Sequence, residues 1–454
     1  MTFKKLLLFI CSLFLVLPCY AKDIVNNKLN YVNLDYWKNY NDEILINHMQ
    51  TLYQNNHDLR IAALKTKQAE ENIRLAAANQ LPNASFDGSF SRVFRGPKTV
   101  FGNVVIPKYV QNEIFLPLNA SYEIDIWGQN YLTRKSAKKQ KEIAEQQERA
   151  TYIYITSSFA ADYYNLVKID ALEKNLTQII NLQKDIAAMT EKKYNAGLAP
   201  INELLDEKQI LVKFEKDMNT LKENKKLLNN EMVVLLSQNS DKEIEHTDFD
   251  ALKYPTTPDS LSTTVIQHRP DLLSSESYAK KAGLDVRIAR RDFLPKFILF
   301  GNLGFNAYKW NRVFAGETFL ANAGIAPSWD IFTGGARLAK YRINKYEYKK
   351  AVENYEKTVL TSIQEVNDAL VETKTTKANL DKSNEEFNIE CEKHALSERQ
   401  FNIGDSSKLD EMRSEVNLYI TKQRNIAATI NNVISTISLY NAVGGIDYTK
   451  AENL

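Results

Sequence analysis

The chain has 454 residues and a formal net charge of +2; a quarter of its residues are charged and only 15 are glycine. The near-neutral charge excludes a strong field that would steer nucleic acid to the chain, so we expect no nucleic-acid partner. Scarce glycine and abundant charge are typical of long solvated helices. An internal duplication favours one elongated body over the two or three domains that the length would allow.

The N-terminus has the pattern of a secretory signal peptide over residues 1–21. Lys4 and Lys5 form a basic start, residues 6–17 form an apolar core too short to span a bilayer, and cleavage is expected after Ala21. No other segment reaches about 18 consecutive apolar residues, so the sequence predicts no transmembrane helix. An exported chain without such an anchor is soluble in the periplasm, secreted, or a membrane β-barrel.

Cysteine usage leaves one alternative open at the mature N-terminus. Cys19 would be acylated if the chain were a lipoprotein, but Pro18 stands where a lipoprotein signal has a small residue. Cleavage after Ala21 would leave Cys391 as the remaining cysteine, so no intramolecular disulfide is expected.

The central feature is the duplication, with a first repeat over residues 22–237, a connecting segment over 238–268 and a second repeat over 269–454. Each repeat has a helical arm that ends at a proline, two alternating strand-like segments, a glycine, a long helical stretch, a second glycine and another helix. Residues 129–196 and 336–403 contain no glycine or proline, so each predicts one helix about 100 Å long at about 1.5 Å per residue. Such helices need lateral partners, which the repeat supplies.

Four strands are predicted, at residues 83–92 and 112–127 in the first repeat and at 296–308 and 318–331 in the second. Their side chains alternate between an apolar face and a face rich in amides, hydroxyls and carboxylates. Such alternation is common in soluble sheets, but this polar face suits a watery lumen. Aromatic residues near the strand ends are typical of the belt at a membrane interface; they are Trp127, Tyr308, Trp310, Trp329 and Phe332.

Four strands cannot close a membrane barrel, because about eight is the minimum and open sheet edges are not tolerated in lipid. A barrel would therefore be shared between protomers, and three protomers would supply twelve strands. The alternative that the strands leave open is an exported coiled-coil scaffold protein with a soluble sheet.

The long helix of the first repeat carries apolar side chains at alternating steps of three and four, which is typical of coiled-coil packing. Gln183 is the one polar member of the series, which comprises Ile169, Leu172, Leu176, Ile179, Gln183 and Ile186. We interpret the charged residues at 138–141 as a solvated face.

Gly197 and Gly404 end the two long helices, because glycine accepts the left-handed conformation, and they define the tip turns of the body.

The sequence offers no catalytic constellation. It contains no glycine-rich phosphate loop with a lysine, its five histidines are dispersed, and nothing resembles a nucleophile with its base. Cys391 and His394 share a predicted helix face, but a metal site needs more ligands. We expect no enzyme, no metal site and no cofactor.

These features together resemble the TolC/OprM-type family of outer-membrane efflux channels over essentially all of the mature chain. The resemblance rests on the order and duplicated spacing of several short motifs, each weak alone. These are Trp37 with residues 56–59, Leu81 with Pro82, residues 120–128, residues 269–272, Leu294 with Pro295, residues 330–335, both glycine turns and residues 440–445.

The resemblance implies a mixed membrane α/β fold. A homotrimer would form a 12-stranded outer-membrane β-barrel, four strands per protomer, continuous with a long periplasmic α-helical barrel. The function implied is an exit duct in the outer membrane of a Gram-negative bacterium. It would passively conduct small molecules exported by an inner-membrane pump of RND or ABC type through a periplasmic adaptor protein. The exit duct of a type I protein-secretion system is an alternative that the sequence leaves open.

The resemblance also implies a periplasmic aperture lined by acidic residues six positions after each turn glycine, at Glu203 and Asp410. Arg413 stands where some members have a second aspartate. Phe401 and Ser406 stand where some members have a tyrosine and an arginine that hold the tip closed. We therefore expect the closed tip of this chain to use other contacts.

Overall fold

The computed structural model describes residues 34–100, 104–239, 242–257, 261 and 263–448. The predicted signal peptide at residues 1–21, including Cys19, lies outside the described residues. Within the described ranges, no helix combines the length and the apolar composition needed to cross a membrane.

Both repeats contain, in order, a helix, strands of the main sheet, a long helix and a further helix, and the first repeat has additional helices and strands. The α-helices are α1 Leu34–Lys38, α2 Glu43–Asn55, α3 His57–Ala78, α4 Gln129–Asn195, α5 Ile201–Leu235, α6 Pro270–Arg291, α7 Ala336–Asn402 and α8 Lys408–Ala442. The strands are β1 Asn83–Phe86, β2 Ser89–Arg95, β3 Lys98–Val100, β4 Val104–Ile106, β5 Tyr109–Ile124, β6 Lys296–Ala307 and β7 Phe319–Ser328. Short 3-10 helices occur at Phe249–Ala251, Thr263–His268, Trp310–Arg312 and Gly316–Thr318.

The first predicted strand, at residues 83–92, is divided into β1 and β2. Both are antiparallel to β5, and the register is the same on either side of the break. Asp87 therefore faces Pro117, which has no N–H to donate to the ladder. The interruption is a missing hydrogen bond and not a bulge.

The second predicted strand, at residues 112–127, is observed as β5, which begins and ends three residues earlier. It ends there because the Asp125 carboxylate accepts hydrogen bonds from the N–H groups of Asn130 at 3.1 Å and Tyr131 at 2.9 Å, at the start of α4. The separate ribbon of β3 and β4 was not predicted. The sequence does contain a signal for this ribbon, because β-branched residues lie on both sides of residues 102–103, a pattern typical of a hairpin.

The main sheet has the strand order β1–β5–β6–β7, with β2 also paired to β5. Directly paired residues project from the same face, and in the middle of the sheet the register aligns like with like. Apolar residues form one row, Phe86, Leu118, Leu303 and Ala321; polar residues form a row on the opposite face, Ser85, Asn119, Asn302 and Asn322. At this level the sheet has one apolar and one polar face across its width, whereas the rows nearer the helices are mixed, with Ser121 opposite Phe300 and Glu123 opposite Ile298.

The chain divides into two compact units that cut across the predicted repeats. The unit that we call the turn unit comprises Met1–Arg60, Arg149–Ile266 and Gln364–Leu454, and the sheet unit comprises Ile61–Glu148 and Gln267–Ile363. Each repeat contributes residues to both units.

Two buried clusters hold the turn unit together. In one, α4, α5 and α8 bring together Leu176, Ile179, Ile180, Ile186, Met218, Leu409, Met412 and Val416. In the other, the ring of Tyr36 stacks on Tyr440 with centroids 3.9 Å apart, and its hydroxyl donates to the carbonyl of Thr436 at 3.1 Å. Buried aromatic side chains supply large apolar areas, so this second cluster anchors α1 to α8.

Candidate functional site at the glycine turns

The two glycine turns have the same backbone geometry. Gly197 and Gly404 have φ angles of +74° and +83°, in the left-handed region that favours glycine. In each turn the glycine N–H donates to the carbonyl three residues earlier, and the following N–H donates to the carbonyl five residues earlier. This Schellman motif closes α4 and α7. It leaves the apolar side chains of Leu198 and Ile403 77% and 79% exposed.

Asp410 belongs to the cap of α8. Its N–H donates to the hydroxyl of Ser407 at 3.2 Å, and its carboxylate accepts from the Ser407 N–H at 3.2 Å and from the Ser407 hydroxyl at 2.6 Å. These bonds, the hydroxyl bond foremost, lower the pKa of Asp410. Asp410, which was predicted to line the aperture, is exposed. One of its carboxylate oxygens accepts hydrogen bonds from Ser407 at the start of α8.

The structure brings Glu203 and Arg413 together. Arg413, on α8, donates from Nη2 to Glu203 at 3.3 Å and to Glu207 at 2.6 Å, and both carboxylates lie on α5. The hydrogen bond to Glu207 is the main reason that the pKa of Arg413 is raised. The contact links the last helix of one repeat to the last helix of the other.

Glu207 is the residue that the sequence analysis missed. Its side chain is 9% exposed, against 37% for Glu203, and it accepts a second hydrogen bond from Gln183 on α4 at 2.6 Å. Two signals pointed to it: Glu207 lies one helical turn after Glu203, and a buried Gln183 in an apolar series needs a polar partner. We call Gln183, Glu207 and Arg413 the turn bridge.

Phe401 and Ser406 make contacts of a different kind. The Lys408 ammonium lies 5.1 Å from the centroid of the Phe401 ring, within cation–π distance, and also pairs with Glu411. Ser406 is half-buried, and its hydroxyl has no hydrogen-bond partner among the residues that the structure describes. Phe401 is thus bound within its own turn.

The aromatic residues predicted for a membrane interface lie beyond the strand ends in the sheet unit. The indole N–H of Trp127 donates to the carbonyl of Pro295 at 2.7 Å, and that of Trp329 donates to Phe293 at 3.1 Å. Phe332 is 88% exposed. Each indole fixes its polar edge to the backbone while much of its ring stays exposed, an arrangement suited to a boundary between lipid and water.

The carboxylates at the turns are not arranged as metal ligands. Across the described ranges, no group of three or more His, Cys, Asp or Glu side chains is placed to hold a metal ion. Glu203 is paired with Arg413, and Asp410 is bound to Ser407.

The chain matches a known protein family over both repeats. The model of the family described as "Outer membrane efflux protein" matches residues 49–232 and 261–445. The toluene efflux pump outer membrane protein TtgC of Pseudomonas putida is 28% identical over 416 residues, which cover 90% of this chain and 84% of that protein. The cation efflux system protein CusC of Escherichia coli (strain K12) is 24% identical over 437 residues, which cover 93% and 91%.

Solved structures share the fold. The Campylobacter jejuni CmeC outer membrane channel superposes with a TM-score of 0.82 at 24% identity, over 91% of this chain and 88% of that one. The open state of the Neisseria gonorrhoeae MtrE outer membrane channel gives a TM-score of 0.75 at 21% identity, over 90% and 91%. At these identities the likeness shows the fold alone.

Proposed function

This chain belongs to the outer membrane efflux protein family, and we propose that it is the passive exit duct of a tripartite efflux system. Its place is the outer membrane of a Gram-negative bacterium, with a long helical extension in the periplasm. In the proposed system an inner-membrane pump of the RND or ABC type exports a small molecule. A periplasmic adaptor docks on the glycine turns, and this chain supplies the passage through the outer membrane.

The observation that carries the proposal is a sheet with one exposed apolar face and two open edges. Phe86, Leu118 and Leu303 project from that face and are 64%, 51% and 53% exposed. Among the described residues, the edges formed by β1 with β2 and by β7 have no further strand partner. Lipid would cover the apolar face but would not tolerate the edges, which must then pair with other copies of the chain.

Three copies would close such a sheet into a twelve-stranded barrel. A barrel of about eight strands is filled by its own side chains or holds one small ligand. A passage therefore needs a wider barrel, and a homotrimer with four strands per protomer provides it. The polar row that contains Asn119 and Asn302 would then line water, and outer-membrane lipid would contact the apolar row.

We propose that Glu203 and Asp410 line a periplasmic aperture, with Phe401, Ser406 and Arg413 around it. In this arrangement Arg413 neutralises Glu203 within one protomer, which weakens one of the two acidic rings that would otherwise attract cations. The turn bridge replaces the tip contacts that the resemblance implied, and it holds the aperture nearly closed at rest.

The glycine turns also offer a surface for the adaptor, because Leu198 and Ile403 are exposed apolar residues on closed, hydrogen-bonded turns. The names of two relatives specify toluene efflux and cation efflux. From those names we propose a small-molecule cargo for this chain.

A photoreactive residue in place of Ser406, in living cells, tests the tripartite assembly. We expect it to capture a periplasmic adaptor, and the class of the adaptor separates a small-molecule pump from a protein-secretion system. The same probe at Glu372, exposed on α7 away from the turns, is the matched control and should not capture that adaptor. Capture of no envelope protein at Ser406, with the chain present in the outer membrane, would contradict the proposal.

A further inference from the structure

The helices next to the sheet concentrate positive charge that the exit-duct function does not use. Residues 129–141 of α4 contain five lysines or arginines, residues 286–291 of α6 contain three, and residues 336–346 of α7 contain four; none of these segments contains Asp or Glu. We call them the basic collar. The whole chain has a net charge of only +2, so this charge is a local feature.

Acidic residues near the basic collar neutralise only some of its cations. Asp292 and Asp330 each pair with a collar cation on α7, at 2.6 and 2.5 Å, whereas Asp285 pairs with a lysine outside the collar at 3.0 Å. Lys135 and Arg287, in contrast, have no carboxylate within salt-bridge distance among the described residues. The collar therefore keeps cations that are free to bind an external anion.

Lys135 and Arg287 line a cleft of about 530 Å³ in the sheet unit, formed by α4, α6 and α7. Lys139 and Lys280 also line it, and each pairs with a glutamate on its own helix. Pairs between neighbouring turns of one helix contribute about 0.5 kcal/mol when they are exposed, as the Lys280 pair is, and such a pair competes weakly with a phosphate. Tyr348 and apolar residues of α6 complete the walls.

The cleft begins close to the strands. At about 1.5 Å per residue, Arg287 lies about 6 Å from the end of α6 and Lys135 about 9 Å from the start of α4. The headgroup region adds about 5 to 7 Å on each side of the hydrocarbon core. Long basic side chains extend toward such a region from helix ends, so strands lying in the membrane would bring both cations toward the level of the lipid phosphates.

We propose that the basic collar binds the phosphate of an anionic glycerophospholipid, with Arg287 and Lys135 as the main contacts. The planar guanidinium of Arg287 can donate two parallel hydrogen bonds to one phosphate, and Lys135 adds a point charge. Free phosphate has the same chemistry, but the closeness of the cleft to the strand ends favours the lipid. This inference rests on the proposed function, because it requires the strands to lie in the membrane.

Native mass spectrometry of the purified full-length protein, incubated with phosphatidylglycerol or phosphatidylcholine, tests the proposal. We expect wild type to retain phosphatidylglycerol preferentially. Lys135→Gln with Arg287→Gln should reduce that retention at least about fivefold, the effect expected for one juxtamembrane cation. Lys374→Gln with Lys377→Gln, which removes two exposed cations of α7 outside the collar, is the control and should bind like wild type.

Equal retention of the two lipids, or equal loss in the control, would overturn the proposal. Displacement of phosphatidylglycerol by an equal concentration of inorganic phosphate would assign the cleft to a free anion and also overturn it. A separate extraction of outer membranes with salt and then with detergent tests the proposed function itself. Release by salt would contradict the membrane barrel, whereas detergent-dependent release without lipid preference would contradict only the lipid site.

Discussion

At the scale of single residues, the exposure of each carboxylate near the glycine turns decides how much it contributes to the free energy of unfolding. Glu207 is 9% exposed and binds both Arg413 and Gln183, whereas Glu203 is 37% exposed and binds Arg413 at the longer distance of 3.3 Å. An exposed ion pair contributes about 1 kcal/mol or less. A buried group that loses its partner costs about 1 to 3 kcal/mol. We infer that Glu207 is the stronger anchor of the turn bridge.

Glu207→Gln should therefore lower the free energy of unfolding by about 1 to 3 kcal/mol, because Arg413 and Gln183 lose a charged, buried acceptor. Glu203→Gln is the matched variant one helical turn away and should cost less than about 1 kcal/mol. Denaturant unfolding of the purified protein, followed by circular dichroism, measures both. Equal costs for the two variants would contradict the ranking.

The family resemblance pointed to Glu203 and Asp410, and sequence spacing could have predicted the cap, since Ser407 and Asp410 have the spacing of a capping box. It could not identify the partner of Glu207. Arg413 is 206 residues away from it, and only the packing of α5 against α8 brings them together.

Asp162 gives the turn unit a pH dependence. Burial raises the pKa of this α4 carboxyl from 3.8 to about 6, and the charge of Glu231 adds to the shift. The folded state thus holds the proton more tightly than the unfolded state. The stability that this proton confers is present below about pH 4 and is lost as the pH rises to about 6.

Asp162→Asn should consequently raise Tm at pH 7 and leave it unchanged near pH 4, because the amide carries no charge to bury. Thermal unfolding across this pH range measures the difference. Glu231→Gln should give a smaller gain in the same direction. A difference between wild type and Asp162→Asn that does not vary with pH would rule out titration of this carboxyl as its cause.

At the scale of elements, regular spacing in the sequence showed where the helices and strands lie, but it did not show where they end. The absence of glycine and proline located α4 and α7, and alternation located the strands. The ends depended on particular side chains: Pro117 interrupts the ladder between β1 and β2, and the carboxylate of Asp125 ends β5 by capping α4. The three-residue strands β3 and β4 are too short for alternation to show.

The glycine turns are the elements for which the free-energy cost of a substitution has the simplest physical origin. No atom lies within 4 Å of a Cβ placed on Gly404, so an added side chain meets open space and only the positive φ is unfavourable. Gly404→Ala should cost about 1 to 2 kcal/mol. Gly404→Asn should cost less, because asparagine tolerates this conformation better. Denaturant unfolding checks the order, and equal stability of all three proteins would show that the turn does not require glycine.

At the scale of the whole molecule, the duplication predicted the order of the elements because each repeat carries a proline and two glycines in the same order, with the same spacing between the two glycines. The sheet adds what spacing could not show: the register that aligns the apolar row containing Phe86 and Leu303, and edges without a partner in the described chain. These edges are the physical reason to propose that several copies share one barrel, and the width needed for a passage is the reason to propose three. Sequence could not identify cargo or adaptor, since both depend on surfaces of other molecules.

Single-channel recording of the purified protein in planar lipid bilayers tests most directly the central claim that this chain forms a gated passage. We predict a small current for wild type and a several-fold larger one for Arg413→Gln, because loss of the turn bridge releases α8 from α5. Lys374→Gln, at an exposed position of α7, should keep the wild-type current. No current from either wild type or Arg413→Gln, once their insertion into the bilayer has been demonstrated, would contradict the account.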